Sequence, residues 1–256
     1  MSDYQLFVNQ VKRKTAIDLS LYKEAQMKRR LTSLRDKRGF VSFEEYYQAM
    51  TKNQELFEEF LQRMTINVSE FFRNPQRWKV LEEKIIPRLL KNQSSMKVWS
   101  AACSTGEEPY TLAILLNQFV TYGRMDILAT DLDQLILERA IKGFYPERAV
   151  KEVKSENLQK YFLKEDLGYR VKDELKKPIR YNRHNLLSDQ FETGFDLIVC
   201  RNVMIYFTEE AKGNLYQKFA DALKPGGVLF VGSTEQIFNA HHYGLETEDT
   251  FFYKKA

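Results

Sequence analysis

The sequence predicts an α/β protein: a mostly parallel sheet with crossover helices, preceded by a small all-α domain and carrying a small β insertion. Three observations lead there. Residues 96–142 alternate strand-like and helix-like segments (MKVWSAA, EPYTLAILLNQFV, DILATD, LDQLILERAIK), the signature of a parallel sheet with helical crossovers. The alternation resumes at residue 179 after a charged interruption. Ahead of it, the first third shows only helical periodicity, with Met27, Leu31 and Leu34 at i, i+4 and i+7.

Taken in order, Ser20 is placed to cap the helix LYKEAQMKRRLTSLRDKR, and Gly39 to stop it. Ser42 and Glu45 fit a capping box for FEEYYQAM. ELFEEFLQRM reads as a further helix and TINVSEFFR, which has no clean period, as a loop. Asn74-Pro75 reads as an N-cap followed by proline at the first helical position, opening QRWKVLEEKII, which should kink or end at Pro87. Residues 144–178 are charged and suggest a small hairpin around Gly168. IRYNRHNLL, FDLIVCRNV, a helix from Glu209 to Leu223, GGVLFVGS and a last strand in DTFFYKKA complete the series. This divides the chain into a helical domain at 1–72 and an α/β domain at 73–256.

Composition narrows the function classes. No run approaches the ~18 apolar residues of a membrane span, and the start lacks a signal-peptide core, so no membrane insertion is expected. Two cysteines 97 residues apart form no disulfide framework, which suits a reducing cytoplasm. His184, His241 and His242 make no metal-ligand spacing with them, and no metal is expected. Net charge is only +4, but from Lys12 to Arg38 ten basic residues face three acids, whereas Glu44 to Glu59 holds five acids and one lysine. A segregated basic segment favours an acidic partner; an ordinary solvated helix face is the alternative.

The stretch ACSTGEEP raises three possibilities: a Cys103 nucleophile, a phosphate cradle, or another cofactor beside Gly106. A phosphate loop needs Lys and then Ser or Thr after its last glycine, but Glu107 and Glu108 follow Gly106. Two carboxylates repel phosphate, although they suit a helix N-terminus. No histidine lies near Cys103 in sequence, so a small packing residue is the simpler account of it. Asp131 ends a strand 25 residues after Gly106, where an acid binds ribose hydroxyls in open α/β sheets; alternatively Asp131 or Asp133 caps the next helix. FDLIVC runs into Arg201-Asn202 with Tyr206 just beyond, at the end of a strand where ligand crevices lie.

Six segments in this order resemble the chemotaxis receptor methyltransferases (CheR), a family of class I S-adenosylmethionine-dependent methyltransferases: MTINVSEFFRN (64–74), WSAACSTGEEPYTLA (99–113), ATDLD (129–133), NLL (185–187), CRNVMIYF (200–207) and KPGGVLFVGSTE (224–235). The resemblance implies a Rossmann-like sheet with helices on both faces, and S-adenosyl-L-methionine as cofactor with S-adenosyl-L-homocysteine as product. It implies that Asn67, Ser69 and Arg73 hold the cofactor from the loop, with Ser69 standing where threonine is expected. Gly106 would let the cofactor approach, Glu107 would face its methionyl end and Asp131 its ribose. Asn185 and Leu186 would flank adenine, Arg201 and Asn202 would close the site, and Arg73 and Tyr206 would lie nearest the transferred methyl. The implied reaction esterifies glutamate side chains on the acidic methylation helices of chemoreceptors in the cytoplasm, by a monomer, with Lys28, Arg29, Arg30, Arg35 and Arg38 steering docking. The single Gly168 at the expected turn of the insertion argues against its binding a receptor tether. Two other functions compete: methylation of nucleic acid or a small molecule, and a non-catalytic binding module. Arg-Asn-Val-Met stands where base amino-methyltransferases carry Asn-Pro-Pro-aromatic, so nucleic acid is not the expected partner.

Overall fold

A computed structural model describes residues 1–256. Four helices come first: α1 (Asp3–Thr15), α2 (Glu24–Lys37), α3 (Phe43–Met50) and α4 (Gln54–Thr65). Ser2 and Gln5 close a capping box on α1. Ser20 does not cap α2. It lies in a 3-10 turn capped by Asp18, and α2 begins only at Glu24, because Tyr22 is held extended in a β-bridge with Phe207. Ser42 does cap α3, accepting from the Glu45 N–H at 3.1 Å, but Glu45 bonds the N–H of Val41, so the box is only half formed.

A loop over 66–74 leads to α5 (Pro75–Val80), a π-helical turn (Leu81–Ile85) and α6 (Ile86–Leu89). Asn74 precedes the helix but does not cap it: its φ is +60° and its side chain reaches Ser233 instead. The irregularity expected at Pro87 takes the form of the preceding π turn. Proline supplies no N–H to the carbonyl four residues back, that of Glu83, and its ring crowds that oxygen; the turn holding Glu83 is the widened one.

The α/β domain runs β1 (Met96–Ala101), α7 (Glu107–Leu116), β2 (Met125–Asp131), α8 (Gln134–Lys142), β3 (Phe144–Tyr145), α9 (Ser155–Tyr161), β4 (Phe162–Glu165), β5 (Gly168–Val171), α10 (Asp173–Lys176), β6 (Ile179–Arg183), β7 (Phe195–Cys200), α11 (Glu209–Ala222), β8 (Leu223–Val231), β9 (Leu245–Asp249) and β10 (Phe252–Lys255). The seven-stranded sheet has the order β6-β2-β1-β7-β8-β10-β9. Its first five strands are parallel; β10 runs antiparallel to β8, and β9, antiparallel to β10, points the same way as the first five, so β10 alone is reversed. The insertion is a separate antiparallel sheet, β3-β5-β4, so the expected hairpin has a third strand. Strand β9, LETED, was not anticipated: an edge strand with one solvated face carries little apolar pattern.

Alternation along the strands feeds two layers. Trp99, Leu128, Ile198 and Leu229 face one side; Val98, Ile127, Leu197 and Val228 face the other. The first side is also the floor of the helical domain. One core runs unbroken from Phe7, Leu31 and Phe60 through Trp99 and Ile198 to Phe219 of α11. The chain leaves β1 toward β2 on one side and later places β7 on the other, so the ligand crevice of such a sheet opens above the carboxyl ends of β1 and β7.

Candidate cofactor and acceptor site

Above those strand ends lies a cleft lined by Ala102 after β1, Asp131 and Leu132 after β2, His184–Leu187 after β6 and Val203, Tyr206 and Phe207 after β7. The helical domain closes it with Tyr22, Met64 and Thr65. Asp131, Asn185, Leu186 and Tyr206, four of the residues expected at the site, therefore share one cavity.

Asp131 is buried, yet its carboxylate is organised. Oδ2 accepts from the Ser104 N–H at 2.9 Å and Oδ1 from the Asp133 N–H at 3.1 Å. Burial pushes its pKa up to about 6, against the opposing pull of these N–H groups. Asp133, not Asp131, is the helix cap: its Oδ1 accepts from the N–H of Leu135 and Ile136. Two buried polar atoms beside the cleft, Ser104 Oγ and His184 Nε2, have no protein partner. The cleft thus offers an apolar wall at Leu186 and Leu187, one organised carboxylate that can accept further hydrogen bonds, and unpaired polar atoms beside it.

The turn after β1 is built by burial. Cys103 is 1% exposed, and burial holds its thiol well above the usual range, which leaves it inert. Gly106 has φ +94°, and a Cβ there would stand 2.8 Å from Ala140 Cβ on α8 and 2.9 Å from the Tyr145 hydroxyl. Backbone conformation and helix packing therefore each require glycine at this position. Glu107 turns inward and accepts from the Thr105 hydroxyl at 2.6 Å; burial raises its pKa, opposed by the hydroxyls of Thr105 and Ser69. Glu108 accepts from the Ser100 hydroxyl at 2.8 Å, and burial pushes its pKa up to about 7 despite the facing Arg201.

The loop over 66–74 is laid across the carboxyl edge of the sheet in strand order. Asn67 Nδ2 donates to Asp133 after β2 at 3.4 Å, and Ser69 meets Glu107 after β1. The Arg73 carbonyl accepts from Arg201 after β7 at 2.8 Å, and Asn74 Nδ2 donates to Ser233 Oγ after β8 at 3.2 Å. Phe71 anchors the span edge-on to Tyr145 and Phe162 of the insertion. The Arg73 guanidinium itself makes one long bond, 3.4 Å to the Val68 carbonyl. Arg201 is 8% exposed and does not line the cleft; it lies between Trp78 and Phe230. Asn202 has φ +61° and donates its N–H to Glu235 at 2.6 Å. Glu235 also takes the N–H groups of Gly232 and Ile205, tying the turn before Tyr206 to the end of β8. Sequence reasoning passed over Glu235 and Glu108, although an acid just past a buried strand is the same signal that singled out Asp131.

The five basic residues of the docking segment separate. Arg38 pairs with Glu59 at 2.6 Å, and Arg35 pairs with Asp36 at 2.6 Å and covers the Phe43 ring. Arg30 reaches inward: it donates to the Met64 carbonyl at 3.0 Å, and its guanidinium lies 5.0 Å from the Tyr206 ring centre. Lys28 lies over the Tyr4 ring, and Arg29 is exposed without a salt bridge.

Residues 67–251 match the model of the CheR methyltransferase SAM binding domain, and residues 2–65 that of the CheR methyltransferase all-alpha domain. The chain belongs to the CheR methyltransferase family. Similar proteins include the chemotaxis protein methyltransferase of Listeria innocua serovar 6a, 50% identical over 255 residues that span 99% of this chain and 97% of that one. The Listeria monocytogenes counterpart is 48% identical over the same shares. That of Salmonella typhimurium is 35% identical across 82% of this chain and 74% of its own. This CheR methyltransferase is accordingly an S-adenosylmethionine-dependent protein-glutamate O-methyltransferase of chemotaxis, on the fold its sequence predicted. None of its helices is long and apolar enough to cross a membrane.

Proposed function

We propose that this CheR methyltransferase esterifies glutamate side chains on the acidic cytoplasmic helices of chemoreceptors. The observation that carries this is the join between the basic helix and the Tyr206 turn. The Lys23 N–H donates to the Tyr206 carbonyl at 2.9 Å, and Arg30 covers the Tyr206 ring. An acidic helix attracted to α2 is thereby brought to the mouth of the cleft.

Asp131, Asn185 and Leu186 hold the nucleoside of S-adenosylmethionine, and Glu107 and Ser69 lie toward its methionyl end. Bound there, the cofactor supplies a methyl group on a sulfonium. A glutamate carboxylate is already ionised at neutral pH, so the protein needs no strong base. Its work is alignment and exclusion of water. Arg73 turns the incoming carboxylate by charge-assisted hydrogen bonds, and Tyr206 borders its path. Tritiated methyl from the cofactor should appear on purified receptor and leave as methanol in base. Label on nucleic acid instead, or cofactor binding with no transfer, would overturn the proposal.

Docking has its own test. Lys28 and Arg29 are the exposed members of the segment with no acidic partner within the chain; Arg30, also without one, is half-buried against Met64 and Tyr206. Reversing both to glutamate should raise the apparent KM for receptor about tenfold at low salt, flatten its salt dependence and leave the Kd for cofactor unchanged. An unaltered KM with an unaltered salt response would make the segment a solvated helix face.

A further inference from the structure

We infer that Trp78 and Arg201 are positioning residues that set the Arg73 side chain through its own main-chain carbonyl. The inference rests on the proposed role of Arg73 as the group that orients the acceptor carboxylate.

A loop carbonyl at a protein surface is ordinarily satisfied by water. That of Arg73 takes two buried donors instead, Trp78 Nε1 at 2.9 Å and Arg201 Nη2 at 2.8 Å. Trp78 is 2% exposed and Arg201 8%. The guanidinium lies 5.1 Å from the Trp78 ring centre and 4.8 Å from that of Phe230. Its Nη1 stands 3.9 Å from Glu108 Oε2, and Glu108 is itself fixed by the Ser100 hydroxyl. Burying an arginine is costly, and satisfying one loop carbonyl does not require a charge.

The backbone on either side of that carbonyl shows what the expense secures. Phe72 has φ +52° and Asn74 φ +60°, both in the left-handed region that side chains disfavour. Each is held by a further bond: the Phe72 N–H donates to Thr111 Oγ1 at 3.3 Å, and the Asn74 side chain to Ser233 Oγ at 3.2 Å. Two strained residues in three persist only where the surroundings over-determine them. With its neighbours fixed and its carbonyl clamped twice, Arg73 has one backbone geometry from which to project its guanidinium. This also gives Arg201 a function away from the cleft: with Nη2 on Arg73 and Nη1 toward Glu108, it acts on the site through Arg73.

The test is a double-mutant cycle. Trp78→Phe keeps an aromatic face on Arg201 and removes one donor. It should lower kcat on receptor about fivefold, with cofactor Kd and Tm little changed. In an Arg73→Ala background the same substitution should have no further effect on kcat, since nothing is left to position. Arg201→Gln should behave alike, and Arg201→Lys should recover part of the loss. If Trp78→Phe costs as much without Arg73 as with it, or costs nothing in either background, the inference falls while the role of Arg73 stands. If Arg201→Gln weakens cofactor binding and leaves kcat at saturation intact, Arg201 is a cofactor ligand and not a positioning residue. A normal kcat for Arg73→Ala alone would instead refute the role of Arg73, and with it the positioning. Should Arg201→Gln fail to fold, the Trp78→Phe cycle decides alone.

Discussion

Arg73→Ala should lower kcat for receptor methylation by about 10² to 10³, with Tm close to that of the parent enzyme, as expected for loss of a preorganised charged donor. The expectation follows from how little the guanidinium does for the fold. Its one hydrogen bond is the 3.4 Å contact to the Val68 carbonyl, while the residue's main chain is held by Trp78 and Arg201 whatever the side chain. Arg73→Lys should recover only part of the loss, because a lysine keeps the charge but not the two-pronged geometry that matches a carboxylate. Cys103→Ala is the informative comparison: a buried thiol with a raised pKa takes no part in the chemistry, so its kcat should stay near normal. Equal losses at the two positions would refute the role given to Arg73.

Asp131→Asn should weaken cofactor binding by about 10- to 100-fold, the loss of charge-assisted hydrogen bonds to vicinal hydroxyls. Asparagine is the substitution of choice because its one oxygen still serves one of the N–H groups of Ser104 and Asp133, whereas alanine would strand both. The pH profile gives a second measurement. Burial raises the Asp131 pKa to about 6, and the ionised form is the one that accepts from both hydroxyls. The Kd measured by calorimetry should therefore be flat above pH 6 and rise as pH falls through that value, approaching tenfold per unit. In Asp131→Asn this rise should disappear. A wild-type Kd independent of pH between 5 and 7 would place the carboxylate outside the binding event.

Much of the site was legible because a parallel sheet writes its strands as buried runs and its ligand groups just past their carboxyl ends. DILATD and FDLIVCRN each show that change from apolar to polar, and Asp131, Asn185, Leu186 and Tyr206 do converge on one cleft. What stayed hidden depends on partners distant in sequence. Nothing near Ser20 announces that Tyr22 pairs with Phe207 and delays the start of α2. Nothing near Arg201 tells that its guanidinium turns to the Arg73 carbonyl, 128 residues away. Gly106 was legible as a special position, but Ala140 and Tyr145 come to it only through the fold. The basic segment carried charge but no record of direction: Arg30 turns to the cleft while Arg35 and Arg38 are spent on Asp36 and Glu59.

The loop over 66–74 bears on modularity. It is the sole covalent joint between the helical bundle and the sheet, and it is also part of the roof over the strand ends. A chimera that grafts another helical bundle at this joint therefore cannot exchange docking preference while leaving the cofactor site alone. Its seam would have to fall before Thr65, which already lines the cleft, and the donor bundle would have to bring equivalents of Tyr22 and Met64. In this architecture the two halves exchange as a unit or with a rebuilt roof.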